Sequence, residues 1–220
     1  MKRVSRRLSG VLAFIIMALP GNAQNTLSMP SGEYYLQGVQ DMASGFRIND
    51  DHSFDFFFIY GAVDRFGKGA WTLEGDHLML NSPPKPSPDF LLQKSAPGDS
   101  TGTVIQITDP NRDILGYVMC QIETEDGEIL RAESNSEGTI YFESNKPLHK
   151  IYLLHRLWPN EPFAAEVSQQ GDRYFEFTIS PTIMEVAVTQ LELRVDAEGL
   201  HGGHPLMQPG REYFYRRAKH

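Results

Sequence analysis

The sequence predicts an all-β protein, and three observations lead to this fold class. Apolar and polar side chains alternate along most of the hydrophobic stretches, which is the two-residue period of a half-buried strand. These stretches are rich in β-branched and aromatic residues, in a chain of 220 residues that is 11% aromatic. Short turns made of Gly, Asn, Asp and Pro separate them at the intervals typical of sandwiches and barrels.

The predicted strands follow this alternation along the chain. In residues 53–60, Phe54, Phe56 and Phe58 share one face, so we expect their rings to form part of the core. Further strands are predicted at 90–93, 104–108, 117–122, 129–132, 139–143, 151–158, 173–179 and 213–217. Residues 184–195 fit either a helical stripe or two strand phases with a slip at 189–190, and their β-branched content favours strand.

Two polar stretches divide the chain. Residues 82–88 contain four prolines, and residues 95–102 are small and polar. We therefore predict a small antiparallel β-meander unit at 31–94, followed by a C-terminal β-sandwich at 101–217. A single mixed sandwich is the alternative, because about 200 residues can form one all-β domain.

Residues 1–23 have the features of a secretory signal peptide. Four basic residues among the first seven precede an apolar run at 11–19, and small residues flank a cleavage point after Ala23. The run is about half of the ~20 residues that a membrane-spanning helix needs. We expect cleavage, a periplasmic or secreted protein, and no transmembrane segment after removal of the signal. An uncleaved membrane anchor is the alternative.

The charge balance excludes a typical nucleic-acid-binding protein. The chain has 20 basic and 28 acidic side chains, a net charge of −8. Loss of the four N-terminal cations would leave 16 basic side chains and a net charge of −12. A chain of this charge is repelled by nucleic acid and by anionic lipid headgroups.

The cysteine count bears on how the fold is stabilised. Cys120 is the only cysteine in the sequence, so no internal disulfide can form. Because it alternates with Val118 and Ile122, we predict a buried thiol within a strand. The stability of an exported chain must then come from its hydrophobic core.

The N-terminal unit carries a recognisable pattern. Residues 69–80 (GAWTLEGDHLML) place a tryptophan before a tight Gly-Asp turn and an alternating strand. Together with 32–35 (GEYY) and the hairpin at 50–54 (DDHSF), this run resembles the lipocalin-like β-meander of small secreted bacterial proteins. The resemblance implies antiparallel strands of the calycin type and no particular activity.

Residues 103–142 carry a second pattern. A strand is followed by the turn 109–111 (DPN), the strand 117–123 and the run 135–142 (NSEGTIYF), which is a turn, a glycine and an aromatic strand. This order resembles carboxypeptidase-regulatory and transthyretin-like domains. The resemblance implies an Ig/transthyretin-like β-sandwich of the kind that serves as an accessory module in secreted proteins, without catalysis.

The candidate ligand-binding residues surround the loop 61–69. Tyr60, Asp64, Arg65 and Trp71 combine aromatic rings with a few polar groups, which is the composition of many binding sites. We predict that they form a recognition surface. The resulting hypothesis is an exported, non-enzymatic envelope binding or interaction module without a cofactor. Its partner would be a protein, a glycan or a small apolar ligand, and not nucleic acid.

A metal site is the second hypothesis. His201 and His204 are separated by two glycines, and imidazole suits zinc or copper. Flexible glycines could let both rings reach one ion, so the alternative function is a metal-dependent or hydrolytic envelope enzyme that uses this loop. The same residues also fit a polar hairpin connection, because a metal site needs three or four ligands.

Overall fold

A computed structural model describes residues 31–98, 102–169 and 171–219. Within these ranges the chain forms sixteen β-strands and one short 3-10 helix, so the all-β prediction is confirmed. The predicted signal peptide at 1–23 lies outside the described residues. No helix in the described ranges is long and apolar enough to cross a membrane.

Eight strands close into an antiparallel barrel. They are β1 (Gly32–Leu36), β2 (Met42–Ile48), β3 (Ser53–Tyr60), β4 (Val63–Glu74), β5 (His77–Asn81), β14 (Leu191–Val195), β15 (Gly199–Gly202) and β16 (Tyr213–Arg217). Their order around the barrel is β1-β16-β15-β14-β5-β4-β3-β2. Closure satisfies the backbone groups that open sheet edges would leave unpaired.

The chain between β5 and β14 forms two four-stranded sheets, which we call the two-sheet unit. The strands are β6 (Phe90–Pro97), β7 (Thr103–Thr108), β8 (Val118–Thr124), β9 (Ile129–Glu133), β10 (Thr139–Phe142), β11 (Leu148–His155), β12 (Trp158–Glu166) and β13 (Asp172–Ile179). Their orders are β10-β7-β13-β6 and β12-β11-β8-β9. The inner faces of both sheets contribute to one core, for example through Phe177 and Ile122. The 3-10 helix, Arg112–Tyr117, precedes β8.

The sheet pairing does not follow chain order. The barrel takes β1–β5 from the predicted unit at 31–94 and β14–β16 from the predicted unit at 101–217. It closes where β1 pairs with β16, with Tyr35 opposite Arg216. The arrangement therefore differs from the predicted meander followed by a sandwich: the two-sheet unit is inserted into the barrel sequence, and the last three strands complete the barrel.

Large aromatic side chains fill the barrel. Phe46, Phe54 and Phe56 are fully buried, and the ring of Phe46 lies 5.0 Å from that of Tyr215. The prediction that the alternating phenylalanines form core is thus confirmed for Phe54 and Phe56, while Phe58 is half-buried against the same cluster. An eight-stranded barrel is just wide enough for its own side chains.

The segment 183–190 brings the chain back to the barrel and forms neither a helix nor a strand, with one isolated bridge between Glu185 and Phe66. Of the two strand phases predicted within 184–195, the structure has the second, Leu191–Val195, and lacks the first. Gln190 has a φ of 48°, and β14 begins at the next residue, so the break coincides with the predicted slip at 189–190. The N–H of Val186 donates to the carbonyl of Phe66 at 2.7 Å. The N–H of Ser82 donates to the carbonyl of Val188 at the same distance. The return segment is thereby fixed against both β4 and the end of β5.

Candidate functional site

Arg65 lies at the junction of the barrel and the two-sheet unit. Its side chain is only 4% exposed; Nε donates to the carbonyl of Met184 at 3.3 Å, and Nη2 donates to Oδ1 of Asn160. Asn160 in turn donates from Nδ2 to Oδ2 of Asp89 at 2.8 Å and to the carbonyl of Ile183 at 3.1 Å. We call Arg65, Asn160 and Asp89 the junction network. The Arg65 guanidinium therefore faces protein groups rather than an open recognition surface.

The other predicted ligand-binding residues are divided between the two ends of the barrel. Tyr60 and Asp64 are exposed and belong to the β3–β4 hairpin, where Asp64 pairs with Ile59. Trp71 lies six residues beyond Arg65 on β4, which is about 20 Å along an extended strand. Its Nε1 donates to the carbonyl of Asn49 at 3.0 Å. Tyr60 pairs with Val63, so Tyr60 and Asp64 lie in one hairpin but on its opposite faces, and Trp71 lies apart from both.

The two histidines of the predicted metal site lie on opposite sides of the barrel wall. His201 stacks on Phe214 with ring centroids 4.6 Å apart, and its Nε2 lies 2.9 Å from Oδ2 of Asp196. Phe214 precedes the inward-facing Tyr215 on β16, so Phe214 and His201 lie on the outer face of the barrel. His204 is buried among aromatic rings of the barrel interior. No group of three or more His, Cys, Asp or Glu side chains in the described ranges is arranged to hold a metal ion. The two imidazoles therefore do not converge on a common site.

His204 has internal partners for both ring nitrogens. The hydroxyl of Ser44 donates to the carbonyl of Phe57 at 2.7 Å, so Nε2 of His204, 3.0 Å away, must be the donor to that hydroxyl. Nδ1 accepts from the N–H of Leu206 at 3.0 Å. Burial lowers the pKa of the His204 imidazole to about 4, so the neutral ring is the stable form at neutral pH.

Residues 98–102 read GDSTG, which matches the G-x-S-x-G spacing of hydrolase nucleophiles. That motif requires a sharp turn between a strand and a helix. Here the segment connects β6 to β7, and Ser100 itself lies outside the described residues. The strand that follows the segment gives no support to a nucleophile elbow.

An apolar groove crosses the outer face of the sheet β12-β11-β8-β9. Its volume is about 380 Å³, and its outward-facing apolar lining consists of Met119, Tyr152, Leu154 and Pro162. Cys120 points into the core, so its neighbour Met119 points outward, directly opposite Leu154 on β11. Met119 is 41% exposed, a large value for an apolar side chain. Ile129, 48% exposed, is on the same face but beyond the row of Arg131 and Gln121. Exposed apolar surface in a depression is typical of interaction sites.

Two charged side chains form the β9 side of the groove. Glu133 is paired with Arg156, whose Nη1 lies 2.9 Å from Oε2 of the carboxylate. Arg131 donates from Nε to Oε1 of Gln121 at 2.9 Å. Within the part of the chain that the structure describes, this is the one hydrogen bond of the Arg131 side chain. Its two terminal nitrogens are therefore available to a ligand.

The sequence pattern contained a signal for this groove. If Cys120 and Ile122 point inward, then Met119 must lie on the outer face, where a large apolar residue is unexpected. The opposite wall was harder to predict, because Pro159 and Pro162 in β12 give that strand the composition of a loop.

A second cavity, of about 830 Å³, lies beside the proline-rich segment 82–89. Three of its polar side chains bind one another: Lys85 is bound to Asp89, and Asp89 is bound to Asn160. These groups hold the junction together, so the apolar groove is the stronger candidate for a binding site.

No protein-family model matches this sequence, and no curated protein is similar to it. Function must therefore be inferred from the described residues themselves.

Proposed function

We propose that this chain is a non-enzymatic binding protein exported to the cell envelope, and that it receives an apolar group in the groove of the two-sheet unit. The observation that carries the proposal is the clustering of Met119, Leu154, Pro162 and Tyr152 around one depression of about 380 Å³. Ligand sites are commonly concave, mostly apolar and bordered by a few polar groups. The groove combines these features.

The chemistry of the lining favours binding over catalysis. Three side chains of the lining are potential nucleophiles: Cys120, Glu133 and Tyr152. Burial raises the pKa of the Cys120 thiol, which keeps it in the unreactive protonated form. The Glu133 carboxylate is paired with Arg156, and the Tyr152 hydroxyl donates to Oε2 of Glu123. The Arg131 guanidinium has hydrogen-bond donors and no acceptor, so it can bind a ligand but cannot serve as a general base. The resemblance of residues 103–142 to carboxypeptidase-regulatory and transthyretin-like accessory modules supports the same interpretation, since β7–β10 of the two-sheet unit lie within this segment.

The binding site is tested with N-phenyl-1-naphthylamine, a neutral apolar fluorescent probe. We expect the wild-type protein to bind it and Leu154→Asp to bind it at least tenfold more weakly, because a carboxylate in the groove must lose its hydration when the probe enters. Leu154 is on the outer face and only half-buried, so the substitution leaves the core intact. Fluorescence titration measures both affinities.

Leu92→Asp is the matched control for this experiment. Leu92 is 46% exposed on β6, in the other sheet, so its substitution should leave the affinity for the probe unchanged. Equal affinity of the wild type and Leu154→Asp, or no binding by the wild type, would exclude the groove as the site.

Export is tested separately by N-terminal sequencing. When the complete chain is expressed in a bacterium with a secretory pathway, the protein recovered from the envelope fraction should begin at Gln24, because small residues precede the cleavage point there. Recovery of the intact N-terminus from the cytoplasm would contradict the proposed location.

A further inference from the structure

Arg131 gives the apolar groove a chemical preference. It faces Gln121 across β9 and β8, and Gln121 faces Tyr152 on β11. The parallel row on the same face contains Glu133, Met119 and Leu154. The rows are two residues apart along the strands, or about 7 Å. A cationic group and an apolar row therefore lie within the reach of one small ligand.

The charges around the groove leave Arg131 as the available partner for an anion. The carboxylate of Glu133 is occupied by Arg156, and Lys150 is paired with Glu166. Arg131 itself donates from Nε to the neutral amide of Gln121, and its two terminal nitrogens remain available to a ligand. The planar fork of a guanidinium matches a carboxylate and can bind it through two hydrogen bonds.

We propose that the groove binds a carboxylate-headed amphiphile, of which a medium-chain fatty acid is the simplest example. The carboxylate binds Arg131, and the hydrocarbon chain lies along Met119 and Leu154 toward Pro162. This assignment rests on the proposed function, because it specifies the ligand of the same groove.

The net charge of the whole chain cannot account for a preference for anions. At −8, or −12 after removal of the proposed signal peptide, the protein repels anions at long range. A preference for an anionic over a neutral amphiphile must therefore come from a local cation, and Arg131 is the cation in the lining of the groove. Added salt should weaken the head-group contact while leaving the apolar contact in place.

Isothermal titration calorimetry with decanoate, decanol and decyltrimethylammonium, each below its micelle concentration, tests the assignment. We expect the wild type to bind decanoate about tenfold more tightly than decanol, which corresponds to one charge-assisted contact, and to bind decyltrimethylammonium most weakly. Arg131→Gln should lose this tenfold preference by weakening decanoate alone. Arg112→Gln, at an exposed arginine of the 3-10 helix, should behave as the wild type.

The outcomes separate the two proposals. If decanoate and decanol bind equally, or if Arg131→Gln leaves the affinity for decanoate unchanged, the carboxylate assignment is wrong while the groove remains a binding site. If none of the three amphiphiles binds the wild type and N-phenyl-1-naphthylamine also fails to bind, the proposed function itself is wrong.

Discussion

Replacement of Arg65 by alanine is expected to lower the free energy of unfolding by about 3 kcal/mol. The substitution removes a buried guanidinium and leaves Oδ1 of Asn160 without its donor. The carbonyl of Met184 loses the bond from Nε and keeps the one from the N–H of Phe66 at 3.3 Å. Buried acceptors that lose a partner are costly, because water cannot replace the donor. Burial lowers the pKa of Arg65 and the nearby Asp89 carboxylate raises it, so the cation remains charged at neutral pH.

Two tryptophans allow this loss to be followed in both parts of the molecule. Trp71 packs against the barrel core, and Trp158 lies in the core of the two-sheet unit. In urea unfolding of the single-tryptophan variants Trp158→Phe and Trp71→Phe, we expect Arg65→Ala to shift both transitions to lower urea concentration. Both should shift because the network contacts both parts.

Asp64→Ala provides the matched control for the Arg65 substitution. Asp64 is the neighbouring residue of β4 and is exposed, so its removal should change the free energy of unfolding by less than about 0.5 kcal/mol. If Arg65→Ala has an effect as small as Asp64→Ala, or moves only the Trp71 signal, the junction network does not couple the barrel to the two-sheet unit.

The burial of Arg65 also shows why the sequence pattern misplaced this residue. Hydrophobicity alone would put Phe66 inside and Arg65 outside, yet Phe66 is 40% exposed and Arg65 is 4% exposed. The pairing with β3 places Arg65 opposite Phe58, on the inner face, and Phe66 opposite Phe57, and the return segment then contacts this part of β4. It supplies the carbonyl of Met184 to Arg65 and packs so closely on Gly67 that a Cβ there would lie 2.7 Å from the carbonyl oxygen of Val186. Neither contact can be deduced from the alternation of β4.

Two strands show which elements the alternation could not predict. In β12, Pro159 and Pro162 cannot donate backbone hydrogen bonds, and the strand tolerates them because it lies at the edge of its sheet. In β15, the short sequence Gly199–Gly202 resembles a loop, and its strand conformation depends on pairing with β14 and β16. By contrast, the strongly alternating β3 and β16 have the predicted bounds.

Barrel closure lies beyond what the residue pattern can indicate. Alternation identifies which face of a strand is apolar, but it does not identify the strand's partner. The pairing of β1 with β16 joins the two ends of the described chain, across the whole inserted two-sheet unit. For the same reason, the predicted cluster of Tyr60, Asp64, Arg65 and Trp71, which are close in sequence, did not become a cluster in space.

Lowering the pH from 7.5 to 4 is expected to cost the protein about 3 kcal/mol of stability through His204 alone, since each unit of pKa difference corresponds to about 1.4 kcal/mol. The imidazole titrates near 6.5 when unfolded, and burial lowers its folded-state pKa to about 4. Between these values the unfolded chain binds one proton more than the folded chain. Stability is therefore complete above about pH 6.5 and decreases as the pH falls toward 4.

The stability falls because both ring nitrogens of His204 already have hydrogen-bond partners that suit the neutral form. Protonation adds a hydrogen to Nδ1, which faces the N–H of Leu206, so two donors would meet. Among the described residues no carboxylate compensates the charge, because the ring contacts of His204 are with Phe56, Phe58, Tyr213 and Tyr215. A charged imidazole in this position must either remain desolvated or leave the barrel with its loop.

Urea unfolding at a series of pH values compares the wild type with His204→Gln, which has no titrating ring. The variant should be less stable at pH 7.5 and should show a smaller decrease in stability toward pH 4.

His155 is also buried with a lowered pKa, so it contributes the same pH dependence of stability to both proteins. The difference between the two plots of stability against pH therefore reports on His204. Removal of an exposed imidazole, in His149→Gln, should preserve the wild-type slope. Parallel curves for the wild type and His204→Gln would mean that His204 is protonated without cost, and hence that its side chain is not held in the barrel interior in solution.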